Sequence, residues 1–209
     1  MLRWSWRGEK IDRLEVEDVV STIPITDLVL MISPQAPSKV LEAVEKLQFR
    51  DFIVVALFFD QEKITRCSWV YTQDASVRFV RLHEPKNWSK KTCPEGKTSL
   101  VLEYPCWEGD EIWKLSDEAL IQMGIREVSE ELGLVSSRKT LSGMVVRVKK
   151  AYPIYGVGYR KYLDVVKKFL SQFSNLHCIG RSGAFVYGNM AYPVRSGLKV
   201  SRKIMSERL

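Results

Sequence analysis

The sequence holds two histidines and four cysteines in 209 residues, and neither set has a spacing that metal chemistry requires. Cys67, Cys93, Cys106 and Cys178 contain no C-x-x-C pair, and His83 and His177 stand apart. Zinc-type ligand spacing and a dense disulfide framework are both excluded, so the reading is no metal and free, mostly buried thiols in a reducing cytoplasm. The formal net charge is +7, yet no run of five or more basic residues occurs. Such a spread reads as a solvated surface that favours acidic partners, not as a nucleic-acid stripe. The N-terminal MLRWSWRGEK lacks the apolar stretch of a signal peptide, and the longest apolar run, Phe52 to Phe59, is too short to span a bilayer. The expected location is the cytoplasm, with peripheral contact to a membrane as the alternative. In that setting the sequon Asn87-Trp88-Ser89 reads as loop chemistry.

Nucleotide and hydrolase signatures are missing too. There is no G-x-G-x-x-G after a strand, no P-loop and no G-x-S-x-G element. Gly156-Val157-Gly158 comes nearest to the first, but lacks the third glycine and precedes an amphipathic helix. A dinucleotide bound here would need another element to hold its adenylate half.

What the chain does have is an ordinary globular composition, 45% hydrophobic and 27% charged, without internal repeats or a low-complexity linker. A strand, a turn at Arg7-Gly8-Glu9 and a second strand are expected first, followed by a short strand from Val19 to Ile23. Thr26 or Asp27 is placed to cap a brief helix, and Val40, Leu41, Val44 and Leu47 mark a second one. The β-branched and aromatic run Phe52 to Phe59 predicts a central buried strand, with further strands at 67–72, 77–82 and SLVLEYPC. Ser116 before two acids predicts a capped helix with Ala119, Leu120, Met123, Val128 and Leu132 on its buried stripe. A strand at MVVRV, an amphipathic helix from Arg160 to Phe173, a short strand LHCIG and a last helix starting near Pro193 complete the reading. Several adjacent strands with packed helices define an α+β fold with a mixed, largely antiparallel sheet.

The candidate chemistry concentrates in GRSGAFVYGNMAYPV, a glycine-bearing loop between the strand LHCIG and the last helix. Gly180, Gly183 and Gly188 permit positive φ or close backbone approach, and the helix start near Tyr192 and Pro193 presents N–H groups and a partial positive charge. Such an end suits a phosphate or a ring carbonyl gaining negative charge. Lys86, Asn87 and Trp88 are candidates for contact with an anionic or sugar-like substrate, and Tyr152, Tyr155 and Tyr159 either line a pocket or belong to the core. Glu103, Glu108, Asp110 and Glu111 lie amid Tyr104, Trp107 and Trp113, and read as a solvated turn in preference to an acid/base centre.

Taken in order, VVSTIPITDLV, FRDFIVVALFF, PKNWS, SLVLEYPCWEGDEIW, VRVKKAYPIYGVGY and NLHCIGRSGAFVYGNM resemble the C-terminal portion of FAD-dependent amine-oxidase-type flavoproteins. Protoporphyrinogen-oxidase-like proteins and UDP-galactopyranose mutases are among the proteins these segments resemble. The resemblance implies remnant strands of an FAD-binding, Rossmann-like lobe over residues 1–24, a substrate-binding lobe over 25–150, and a segment returning to the FAD lobe over 151–209. It implies FAD as cofactor, with Gly180, Arg181 and Gly183 near the pyrophosphate and ribityl chain. Asn189, Met190 and Ala191 would lie at the flavin ring, with Tyr187 in the same Tyr-x-Asn-Met arrangement. Lys86, Asn87, Trp88 and Tyr155 would lie on the substrate side. Relatives often carry an aspartate after the Asn-Met pair, where this chain has Ala191 and Tyr192.

The expectation that follows is a truncated or split FAD-dependent oxidoreductase acting on an unidentified small molecule, with poor FAD affinity unaided. A separate chain carrying the N-terminal FAD-binding half, or self-association into a homo-oligomer, would be its partner. The alternatives are a flavin-dependent UDP-sugar mutase and a non-catalytic remnant or interaction module.

Overall fold

The computed structural model of the protein describes residues 14–207. The expected strand and turn around Arg7-Gly8-Glu9 lie outside the described residues. In chain order the elements are β1 (Val19–Ser21), α1 (Ile25–Met31), α2 (Ser38–Glu45), β2 (Phe49–Phe59), β3 (Trp69–Tyr71), β4 (Arg81–His83) and β5 (Thr98–Cys106). They continue with α3 (Glu111–Lys114), α4 (Asp117–Arg126), β6 (Thr140–Pro153), α5 (Tyr159–Leu170), β7 (Leu176–Cys178), α6 (Gly180–Gly183) and α7 (Ala191–Glu207). The chain divides into two compact units, Met1–Phe49 with Lys150–Leu209, and Arg50–Lys149.

In the first unit β1 and β7 run parallel, with Val19 opposite Leu176 and Ser21 opposite Cys178. Pro24 ends the extended chain, and its carbonyl accepts from the N–H groups of Asp27 and Leu28 to open α1. Thr26 and Asp27, expected as caps, lie instead inside the first turn, and Asp27 pairs with Lys150 Nζ. The apolar faces of α1, α2 and α5 meet around Val29, Val44 and Val166, each buried, as the helical spacing predicts for α2 and α5. Each such side chain contributes about 1.5–3 kcal/mol of burial. His177 has a structural role: it is buried, and its Nε2 lies 2.8 Å from Asp18 Oδ1.

The second unit is a five-stranded sheet in the order β3-β4-β5-β2-β6. β2 pairs antiparallel with β5, setting Ile53 opposite Tyr104, Val55 opposite Leu102 and Leu57 opposite Leu100. Those six side chains are fully buried, and Leu120, Met123 and Val128 close over them. β2 is an interior strand as expected, but its second face is only partly covered: Ala56 is buried, Phe52 and Val54 are half-buried and Phe58 is exposed. The run is apolar on both faces, so periodicity alone could not reveal the open one.

Two strands are shorter than the sequence implies. Only Trp69–Tyr71 is strand within 67–72, and within 77–82 only Arg81 and Leu82 are, β4 running on to His83. Upstream of β4 the Arg78 N–H is donated to the buried Glu127 carboxylate, so it is lost to the ladder. Ser116 caps α4 as expected, its hydroxyl accepting from Ala119 N–H, although Ala119 itself is exposed and not part of the stripe. A π-helical turn, Glu127–Glu131, extends α4, and Gly133 at φ +58° ends it.

Buried carboxylates hold the irregular segments of this unit. Glu127 accepts from Arg78 N–H at 2.9 Å and from Tyr104 hydroxyl at 2.7 Å. Burial, and then the Glu127 charge, push the Tyr104 hydroxyl well above its ordinary pKa. Glu84, fully buried, accepts from Ile64 N–H, Thr65 N–H, Thr98 hydroxyl and Asn87 amide. Burial alone would raise its pKa, but the hydrogen bonds from Thr98, Thr65 and Ile64 outweigh it and hold the carboxyl below its ordinary value. A depressed native pKa stabilises the fold above the unfolded pKa, and that stability is lost as pH falls through the native value. Glu84→Gln leaves a backbone donor facing an amide NH2, and is expected to cost about 1–3 kcal/mol at pH 7. Urea unfolding at pH 7 and at successively lower pH checks this: the gap between wild type and variant must narrow below about pH 4, near the reference glutamate pKa.

Candidate functional site

The glycine-bearing loop is built from backbone constraints. Gly180 follows β7 at φ +75°, a left-handed turn that glycine adopts without strain, and its N–H donates to Ser196 Oγ at 3.2 Å. At Gly183 a Cβ would stand 2.8 Å from the Ser21 carbonyl oxygen and 3.3 Å from Thr22 Cα. The two glycines therefore serve different needs, a turn and a close approach to the end of β1. Phe185, at φ 53° without a glycine's freedom, is held there by its buried ring, which meets Phe49 edge-on at 5.0 Å.

Arg181 fastens the loop. Its Nε and Nη2 donate to the Gly188 carbonyl at 3.1 and 2.7 Å, and its guanidinium lies 4.5 Å above the Tyr152 ring. Tyr187, exposed, lies 5.4 Å from Tyr152, and its N–H donates to the Tyr155 hydroxyl at 2.7 Å. Tyr155 in turn stacks on Tyr159 at 4.5 Å with the rings 7° from parallel. Arg181, Tyr187 and Tyr155 are thus brought together by one loop. Tyr152 and Phe185 complete the group. Tyr152 was legible as part of an aromatic trio, whereas nothing in the sequence marks Phe185 for a left-handed backbone.

At the far end of the loop Asn189 starts α7. Its Oδ1 accepts from Ala191 N–H at 3.2 Å and its carbonyl from Tyr192 N–H at 3.1 Å, while the Met190 carbonyl accepts from Val194 N–H. Pro193 has no N–H. The N–H groups expected to be free near Tyr192 and Pro193 are therefore absent or taken, because the asparagine caps its own helix. What this end presents outward is the positive end of a 17-residue helix and the Met190 side chain, 83% exposed.

The other candidates lie in the sheet-bearing unit. Lys86 Nζ donates to Glu62 Oε1 at 2.7 Å and to the Lys97 carbonyl at 2.8 Å. Asn87 Nδ2 reaches the Cys67 carbonyl at 2.8 Å and Glu84 Oε2 at 3.2 Å. Both tie the 60–67 segment down. Trp88 alone of the three stays exposed. The four carboxylates do not converge: Glu108, Asp110 and Glu111 are exposed beyond β5 as expected of a solvated turn, with Glu108 paired to Lys149 and Asp110 accepting from Trp107 N–H, whereas Glu103 lies within β5, half-buried and paired with Arg81. All four cysteines are free, and burial raises the thiol pKa of Cys106 and Cys178, so those two behave as small apolar groups.

The family model for flavin containing amine oxidoreductase matches residues 3–205, and the chain belongs to that family. Among solved structures it is similar to reduced UDP-galactopyranose mutase, at 20% identity and a TM-score of 0.71, over 88% of this chain and 39% of that one. It is also similar to a protein assigned as protoporphyrinogen oxidase from Exiguobacterium sp. 255-15, at 18% identity and a TM-score of 0.70, over 99% of this chain and 46% of that one. The chain therefore spans less than half the length of these two structures. No curated protein matches it.

Gly183→Ala is expected to lower stability by about 1–3 kcal/mol, because the new methyl meets backbone. Gly197→Ala, in the interior of α7 where nothing lies within 4 Å, is expected to raise it by about 0.5–1 kcal/mol. Thermal melts of the two variants must move in opposite directions.

Proposed function

We propose that this chain supplies the flavin-facing C-terminal segment and the substrate-side sheet of an FAD-dependent oxidoreductase of the amine oxidoreductase family. The observation that carries the reading is the α6–α7 loop, locked by Arg181 and capped by Asn189, within a chain that matches the family model over residues 3–205. The residues fit a flavin in kind: the positive end of α7 beside the exposed, apolar Met190 suits a planar ring that takes up negative charge. Gly180 and Arg181 would lie toward the ribityl and pyrophosphate, and Tyr187, Asn189, Met190 and Ala191 toward the ring, whereas Gly183 serves the packing against β1. When bound, the flavin would supply the hydride chemistry, and the protein would position it and set its electrostatics. Tyr155, whose hydroxyl accepts from Tyr187 N–H, is retained as a substrate-side residue for an unidentified small molecule.

The adenylate half of FAD would be held by a polypeptide bearing the missing fingerprint, as a separate chain, and self-association is the other arrangement proposed. Free thiols support a reducing, cytoplasmic setting, and no helix among the described residues is long and apolar enough to cross a membrane. A second reading, a UDP-sugar mutase, is favoured by the fold shared with UDP-galactopyranose mutase at a TM-score of 0.71. A non-catalytic interaction module is the third.

Titration of the purified chain with FAD and with FMN, followed by flavin fluorescence polarisation and visible spectra, tests the proposal. The segment faces the part of the cofactor common to both, so both are expected to bind weakly, with FAD no more than about tenfold tighter, a difference of about 1.4 kcal/mol. Absence of any response to either flavin would show that this chain alone holds none. Calorimetry with UDP-galactose separates the mutase reading, which silence toward the nucleotide sugar would remove.

A further inference from the structure

The flavin reading uses only the start of α7, and the outer face of the helix beyond it has no role there. With about 3.6 residues per turn, the side chains of α7 sort into three arcs. Tyr192, Ser196, Val200 and Ile204 are half-buried and form the side that packs on the unit, where Ser196 Oγ accepts from Gly180 N–H at 3.2 Å. Val194, Leu198 and Met205, 62%, 55% and 63% exposed, follow within an arc of about 60°. Arg195, Lys199 and Arg202, all exposed, fill the next arc of about 60°. None of these three cations has a carboxylate partner among the described residues, and the one acid of α7, Glu207, is paired with Lys203. Apolar side chains that recur along one helix face are costly to hold in water, unlike single ones scattered over a surface.

Unmatched positive charge beside an apolar stripe narrows what covers this face. A second copy offers no counter-charge, because the same three cations and a net charge of +7 come with it. A nucleic-acid backbone would meet the cations and leave the apolar arc in water. A protein groove that takes an amphipathic helix encloses much of its circumference, and here the half-buried side is already committed to the unit. A flat surface that is anionic outside and apolar just beneath meets both arcs at once. That is the situation of a helix lying in the headgroup layer of a bilayer. The arginine and lysine stems reach phosphate from the rim, while Leu198 and Met205 pass between headgroups.

We propose that the outer face of α7, through Val194, Leu198 and Met205 beside Arg195, Lys199 and Arg202, docks the protein on an anionic phospholipid surface. These residues lie beyond Asn189, Met190 and Ala191, so docking stands or falls separately from the flavin reading.

The test is co-sedimentation of the full chain with vesicles of phosphatidylcholine alone and of equal parts phosphatidylcholine and phosphatidylserine. Partition onto the anionic vesicles is expected to be at least about tenfold stronger, and to weaken about tenfold between about 0.1 and about 0.5 M NaCl. Lys199→Gln with Arg202→Gln, and separately Leu198→Gln with Met205→Gln, should each weaken it by about tenfold, because glutamine keeps the helix while removing charge or apolar surface. Lys167→Gln with Lys168→Gln removes the same charge from exposed positions on α5 and should stay within about twofold. All the substituted positions are exposed, circular dichroism confirms that each variant is folded, and either α7 variant alone keeps the test decisive. The proposal is overturned by no preference for the anionic vesicles, by an α5 variant that loses as much as the charge variant of α7, or by an apolar variant that binds like wild type. It is equally overturned by calcium-loaded calmodulin or duplex DNA binding more tightly than the vesicles. A dimer in sedimentation equilibrium that the apolar variant dissolves would give the face to a second copy.

Discussion

The buried Glu84 carboxylate takes hydrogen bonds from two backbone N–H groups at Ile64 and Thr65, from the Thr98 hydroxyl and from the Asn87 amide. Those partners come from the segment after β2, the turn after β4 and the first residue of β5, so one anion gathers chain that no ladder or helix organises. A carboxylate offers about four lone-pair sites, and here they meet four donors. Removing water from the charge is costly, and only this full complement offsets it. The positions of Asn87 and of the adjoining Trp88 follow from that requirement. Asn87 is therefore a strut of the sheet-bearing unit before it is anything else.

The same logic operates in the other unit with the sign reversed. Arg181 places two donors on the Gly188 carbonyl and its face on Tyr152, which fixes the loop that delivers Asn189 to the start of α7. A cation used in this way sets geometry more than it attracts a ligand. The outward-facing electrostatics then come from the helix end, whose partial charge is fixed by the backbone and screened less where solvent is excluded. The tip of the loop thus presents a helix end in place of a free lysine or arginine.

Much of the fold was legible because regular elements announce themselves by period. The stripes of α2, α4 and α5, the central position of β2 and the antiparallel pairing all follow from apolar spacing and capping residues. The parts that were not legible depend on partners distant in sequence. Strand 77–82 shortens because Arg78 N–H finds Glu127, 49 residues away. Lys86 and Asn87 looked available for a ligand because their partners, Glu62, Lys97, Cys67 and Glu84, are unknown to any local pattern. The open second face of the sheet was hidden for a different reason: Phe52, Val54 and Phe58 are as apolar as a buried face. In the glycine loop, the sequence offered positive φ or close approach to all three glycines alike, while the backbone assigns a turn to Gly180 and a close approach to Gly183.

A net charge of +7 invites a search for anionic ligands, and the distribution of that charge decides where the search should go. Arg81 is matched by Glu103, Lys86 by Glu62, Arg147 by Asp117, Lys149 by Glu108 and Lys150 by Asp27. Both groups of candidate side chains, the loop around Arg181 and the corner around Trp88, are thus locally balanced or committed. By contrast α7 carries Arg195, Lys199, Arg202 and Lys203, with Lys203 paired to Glu207 and no buried residue among those described. That exposed helix surface carries part of the excess positive charge, which acts at the range of a Debye length, about 8–10 Å in ordinary salt. It can bias which molecules approach the protein, while selection at the loop around Arg181 rests on shape, stacking and hydrogen bonds.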